Sequence, residues 1–216
     1  MNAKLKELLE WIEVVKNFSF DLLDNRKMYQ RYIEIINANP EIRNPFDYHR
    51  WTLRNYGDAV AMRIRSQLDP KGITLMGLLH QLKNNPTAIS RTWHSTLYTP
   101  LHLADGLDIN FAGADFNKFA GKGEYFDKSI AEKDIESLHE LGKNIELYVN
   151  KRLAHYVVKA KINDVTYADL DKFIDEYENI AKRYICLLTG AGFDQLSSIA
   201  QYDQELIFTK PWIKKE

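Results

Sequence analysis

At 216 residues, with 45% apolar and 27% charged side chains, the chain has the composition of one large globular domain. Its formal net charge of −1 excludes whole-surface attraction to nucleic acid, so any such surface must be a local basic patch. Cys186 is the single cysteine, which excludes an intramolecular disulfide and points to a reducing compartment.

No uncharged apolar run approaches the roughly 20 residues that a membrane span needs. Lys4, Glu7, Glu10, Glu13 and Lys16 keep the opening segment from reading as a signal peptide. The expectation is a cytoplasmic protein with no membrane partner. Leu5, Leu8, Leu9, Ile12 and Val15 recur at helical spacing and predict an amphipathic opening helix. A second helical segment, separate or continuous with the first, is predicted over 20–37, with Leu22, Leu23, Met28, Tyr32, Ile35 and Ile36 inward. Asn39-Pro40 stops it, because the residue before proline is pushed out of the α region.

Asn44-Pro45 reads as an N-cap followed by proline at the first helical position. Leu53, Tyr56, Val60 and Ile64 then mark a long helix to about residue 68. Asp69-Pro70-Lys71-Gly72 is a turn by composition. Thr74 can cap a short helix that turns Leu75, Leu78, Leu79 and Leu82 inward and stops at Asn84-Asn85-Pro86. Another short helix is predicted over 87–98. Residues 99–127, with Pro100, Gly106, Gly113, Gly121 and Gly123, read as an irregular insertion. In the closing segment, 191–216, Ile207, Phe208, Pro211, Trp212 and Ile213 predict a tail that docks back on the body.

The stretch from Tyr148 to Gly190 organises the rest. Leu138, Leu141, Ile145, Tyr148, Val149, Arg152, His155 and Tyr156 fall on one face of a helix that starts near Ile130. A guanidinium and an imidazole on an apolar face need partners, because desolvating a lone charge is costly. Carboxylates, a second subunit or a ligand could each supply them. Thr166 and Asp169 form a capping box for the next helix. That helix carries Leu170, Phe173, Tyr177, Ile180, Tyr184 and Leu187 inward and ends at Gly190. The short connection of 161–165 makes the pair an antiparallel hairpin. The fold class expected is all-α, a single helical domain over 1–216.

Other chemical signals are weak. Gly121-Lys122-Gly123 lacks the Ser or Thr, the preceding strand and the glycine spacing of a phosphate loop. The six histidines include no pair three or four apart, so no helical metal pair is expected. There is no Gly-x-Ser-x-Gly elbow. Cys186, mid-helix, reads as a small hydrophobe. Arg50, Arg54, Arg63 and Arg65 add charge to one helix. Arg50 and Arg54, four apart, share a face that is either solvated or phosphate-contacting.

The run Asn150-Lys151-Arg152-Leu153-Ala154-His155, with Thr166-Tyr167 and the helix that closes at Gly190, resembles the abortive-infection branch of the HEPN superfamily. Arg63-Ile64-Arg65 through Asp69, Ile73-Thr74-Leu75 and Leu78-Leu79 look like its middle section. Asp203, Ile207-Phe208 and Pro211-Trp212-Ile213 look like the tail of bacterial relatives. The resemblance implies a bundle of long antiparallel helices that pairs into a homodimer, in bacterial defence and toxin–antitoxin systems. It also implies metal-independent ribonuclease chemistry with no cofactor. A histidine assists attack of the ribose 2′-hydroxyl on the adjacent phosphate, and an arginine four to six residues upstream steadies the charge. His155 matches the histidine and Asn150 the polar residue beside the arginine. The arginine positions hold Asn150, Val149 and Tyr148, while Lys151 and Arg152 stand nearer to the histidine.

Two functions follow. One is an endoribonuclease or toxin-like effector with His155 as acid/base and Arg152 as phosphate anchor. In it Lys151, Asn150, Tyr156, Arg50 and Arg54 contact RNA, and an antitoxin or other protein is a partner. The other is a non-catalytic module that binds RNA, a nucleotide or a protein.

Overall fold

The computed structural model describes residues 3–43, 46–98, 101–102, 108–109, 112–155, 163–198 and 205–209. A long amphipathic period, a capping box and a terminal glycine make helix α7, Tyr167–Thr189, the axis of the molecule. Thr166 Oγ1 accepts from the Asp169 amide, and the Asp169 carboxylate accepts from the Thr166 amide at 2.8 Å. Gly190 closes the helix at φ 71°, the left-handed conformation that glycine adopts without strain. Phe173, Ile174, Tyr177, Ile180, Ala181, Tyr184, Ile185, Leu187 and Leu188 are fully buried, covering far more than one stripe. A helix with so broad an apolar surface must be surrounded. It is packed by α1 (Ala3–Ala38), α2 (Phe46–Gln67) and α6 (Lys128–Tyr148), while α3 (Leu75–Asn84) lies against α6 and α1.

Helix α6 runs antiparallel to α7. Asp134 near its start meets Arg183 and Tyr184, Ser137 donates to Glu176 at 2.9 Å, and Gly142 lies against Phe173. The Asp134 carboxylate accepts from Tyr184 at 2.8 Å and from Arg183 at 2.5 Å. Burial still pushes it above the ordinary carboxylate range. The all-α expectation holds, and the two helices pair antiparallel. The first ends at Leu153, short of the connection expected at 161–165, which lies partly outside the described residues.

Several local expectations meet the structure in detail. Nothing between Val15 and Phe20 breaks a helix, and α1 is one continuous element of 36 residues. Met28, expected inward, is 42% exposed, and Tyr32 and Ile35 are half-buried, because α1 outruns the core at this end. The Asn44-Pro45 cap lies outside the described residues. Thr74 caps α3 by accepting from the Gly77 amide at 3.0 Å. The single helix expected over 87–98 is instead a 3₁₀ turn, Pro86–Ala88, and a short α4, Arg91–Ser95, capped by Ser90. Residues 99–127 are less irregular than expected: β1 (Leu101–His102) pairs antiparallel with β2 (Asp108–Ile109), and α5 spans Ala112–Ala120. Phe116, Phe119 and Phe126 are buried, so residues 116–126 contribute to the core. Gly121-Lys122-Gly123 is a turn whose glycine carbonyls are bound by the Arg91 guanidinium at 2.8 and 2.9 Å.

The tail docks in part. Leu196 is fully buried, and its amide donates to Glu178 at 2.9 Å. The short α8, Leu206–Thr209, sits by α1, with Glu205 paired to Arg31. Pro211, Trp212 and Ile213 lie outside the described residues. No helix among the described residues is long and apolar enough to cross a membrane.

Gly77 gives a test of the α3 packing. Alanine is worth about 1 kcal/mol more than glycine inside a helix. Here a Cβ would stand 2.1 Å from the Gly72 carbonyl oxygen and 3.2 Å from the Trp11 ring. Gly77→Ala is therefore expected to reverse sign and destabilise by about 1–3 kcal/mol, read as a lower urea midpoint at unchanged slope.

Candidate nucleic-acid interface

The predicted cluster sits where α6 stops being regular. Beyond Tyr148 the backbone widens into a π-helical turn, Val149–Leu153, whose closing bond runs from the Ala154 amide to the Val149 carbonyl at 2.8 Å. The chain then bends at Ala154 and His155. Such turns accommodate an additional residue and recur at functional sites. Val149 is buried and Leu153 packs on the core. Arg152 and Asn150 are half-buried, while Lys151 and His155 are exposed.

This corrects one expectation. Arg152 and His155 do not share an α-helical face, because the helix has left α geometry before either is reached. The wider turn brings Leu153 to the core and leaves His155 in a bend that protrudes into solvent. The cost of desolvating a charge on an apolar stripe is thereby avoided. Tyr156 lies outside the described residues.

The turn packs against α2, which brings a second part of the predicted set alongside. Arg54, Gly57, Asp58, Tyr148, Tyr167 and Leu170 line a cleft of about 170 Å³ between α2, the end of α6 and the start of α7. Arg54 is 81% exposed and lies 3.6 Å from Asp58, one turn on. Asp58 also accepts from the Tyr148 hydroxyl at 2.9 Å. Burial, then this carboxylate, holds the Tyr148 hydroxyl above its ordinary range, and Tyr167 is raised by the same two causes. The Tyr148 phenol is the donor in its bond to Asp58. Arg50 is exposed one turn before Arg54.

Sequence reasoning missed two aromatics on α2. Trp51 is 62% exposed and Tyr48 is 49% exposed, with ring centroids 6.0 Å apart. Trp51 lies between Arg50 and Arg54, an interleaving of aromatic and basic side chains that was legible in the residues and suits base stacking beside phosphate contacts.

It also missed a larger groove between α1 and α2, about 500 Å³, lined by tyrosine rings and closed at one side by Phe208 of α8. Tyr29 stacks on Tyr56 with centroids 3.8 Å apart and on Tyr167 at 5.5 Å. Burial raises the Tyr29 hydroxyl to about 12 and Tyr56 further still. The stack separates the groove from the cleft, since Tyr29 and Tyr56 line one and Tyr167 the other.

Among the described residues no three His, Cys, Asp or Glu side chains converge into a metal cradle. Cys186 is half-buried on α7, and burial pushes its thiol up, away from reactivity. No family model, no curated protein and no solved structure matches the chain, so the resemblance to HEPN proteins rests on the sequence motifs alone.

Proposed function

We propose that this chain is an RNA-directed effector of the bacterial defence type, acting in the cytoplasm as a metal-independent endoribonuclease. The observation that carries the reading is the π-helical turn, which leaves Lys151 and His155 exposed at the end of an otherwise regular helix. His155 takes the proton from a ribose 2′-hydroxyl as that oxygen attacks the adjacent phosphorus. The bond to the 5′-oxygen breaks, that oxygen takes up a proton, and a 2′,3′-cyclic phosphate remains. Arg152 and Lys151 anchor the phosphate, Asn150 and Tyr156 flank it, and Arg50, Trp51 and Arg54 carry the strand along α2. Two copies pair so that both His155 side chains face one groove, and an antitoxin or other protein controls access.

A specific observation favours the non-catalytic alternative. Of the positions where the resemblance asks for arginine, Val149 is buried and the Tyr148 hydroxyl is bound to Asp58. Neither can deliver a cation to His155.

The test is a labelled mixed-sequence RNA pool incubated with the protein in excess chelator. The proposal expects fragments ending in 2′,3′-cyclic phosphate. RNA bound but uncut selects the non-catalytic module, and neither binding nor cleavage removes both. Trp51→Ala is expected to weaken single-stranded RNA binding by about 1–3 kcal/mol without lowering the melting temperature, because this ring stacks on bases and supports no core.

A further inference from the structure

The groove between α1 and α2 has no part in the proposed RNA chemistry, yet its lining is selective. Its walls are tyrosine rings, Met28, Val60 and Phe208, with three neutral polar side chains, Asn25, Thr52 and Asn55. Arg63 is the single charged residue among the described residues lining it, and no carboxylate of the described residues joins it there. Arg63 lies over the Phe18 ring at 6.0 Å and makes no ion pair among the described residues. The hydroxyl of Tyr56, another lining residue, is buried and has no hydrogen-bond partner among the described residues. A volume of about 500 Å³ is within the range of small-molecule sites.

We infer that this groove binds a small, largely apolar monoanion, an aromatic carboxylate being the simplest member of the class. Flat rings on the walls receive a flat apolar body, and one unopposed guanidinium receives one carboxylate. A polyanionic ligand fits poorly, because the described lining offers it one cation. Phe208 and the Arg31 pair to Glu205, whose two contacts measure 2.5 and 2.8 Å, hold α8 at the mouth.

The probe is 2-naphthoate, titrated calorimetrically into the full chain, with 2-naphthamide as its neutral twin and adenosine monophosphate as a larger, polar and multiply charged anion. Saturable naphthoate binding, at least tenfold tighter than naphthamide or the nucleotide, is expected. Arg63→Gln should remove that tenfold preference, and Arg63→Lys should retain most of it. Ala59→Trp, which fills the groove from its open side, should abolish binding while circular dichroism stays unchanged. No saturable naphthoate binding overturns the inference, as does equal affinity for naphthamide, unchanged binding in Arg63→Gln, or full binding in Ala59→Trp. Tighter nucleotide than naphthoate binding overturns the ligand class.

Discussion

Replacing Tyr177 with alanine is expected to cost about 3–5 kcal/mol, the range for removing a large buried ring. Tyr177 is fully buried at the middle of α7, with Phe18 and Phe173 each 6.2 Å away ring to ring. Its hydroxyl donates to Gln67 Oε1 at 3.2 Å, and the same oxygen accepts from the Leu75 amide at 3.1 Å. Ser19, bonded to the Val15 carbonyl, lies 3.4 Å from the phenol oxygen. This chain of buried polar groups ties α1, α2 and α3 to α7. Tyr177→Phe separates the two effects, keeping the ring and losing the donor, and should cost about 1–2 kcal/mol. Urea unfolding of both variants measures the difference. If alanine and phenylalanine cost the same, packing around the ring is not what anchors α7.

The second large effect concerns chemistry. His155→Ala is expected to lower RNA cleavage by 10²–10⁴-fold, the usual contribution of a positioned acid/base. It should leave the melting temperature where it was, because His155 is exposed and the core around α7 does not touch it. RNA affinity should fall far less than cleavage. A histidine that served only the fold would give the opposite pattern, with stability lost and cleavage lost in proportion to the unfolded fraction. Arg152→Ala should lower binding and cleavage together, since Arg152 is assigned to the phosphate in ground and transition states alike.

Most of the bundle was legible because its signals are local. Thr166, Asp169 and Gly190 punctuate α7, and its apolar spacing does the rest. Thr74 marks α3 in the same way. The π-helical turn was not legible, because Val149 to Leu153 contains neither proline nor glycine and its apolar period continues on paper. Tertiary packing against α2 and the core decides where the helix widens. The face shared by Arg152 and His155 was an extrapolation of that period, and it failed there. The core role of Phe116, Phe119 and Phe126 was masked by the surrounding glycines. The tyrosine groove gathers Asn25 and Phe208 from opposite ends of the chain, a juxtaposition no spacing rule reaches.

The most direct measurement is fluorescence anisotropy of a labelled single-stranded RNA titrated with wild-type protein and with Lys151→Ala, over a series of salt concentrations. Exposed Lys151 contributes no core contact, so its loss should spare the fold. The account predicts saturable wild-type binding whose logarithmic salt slope becomes shallower by about 0.7 in the variant, the signature of one lost phosphate contact. Identical slopes and affinities for the two proteins, or no binding by the wild type, would contradict it.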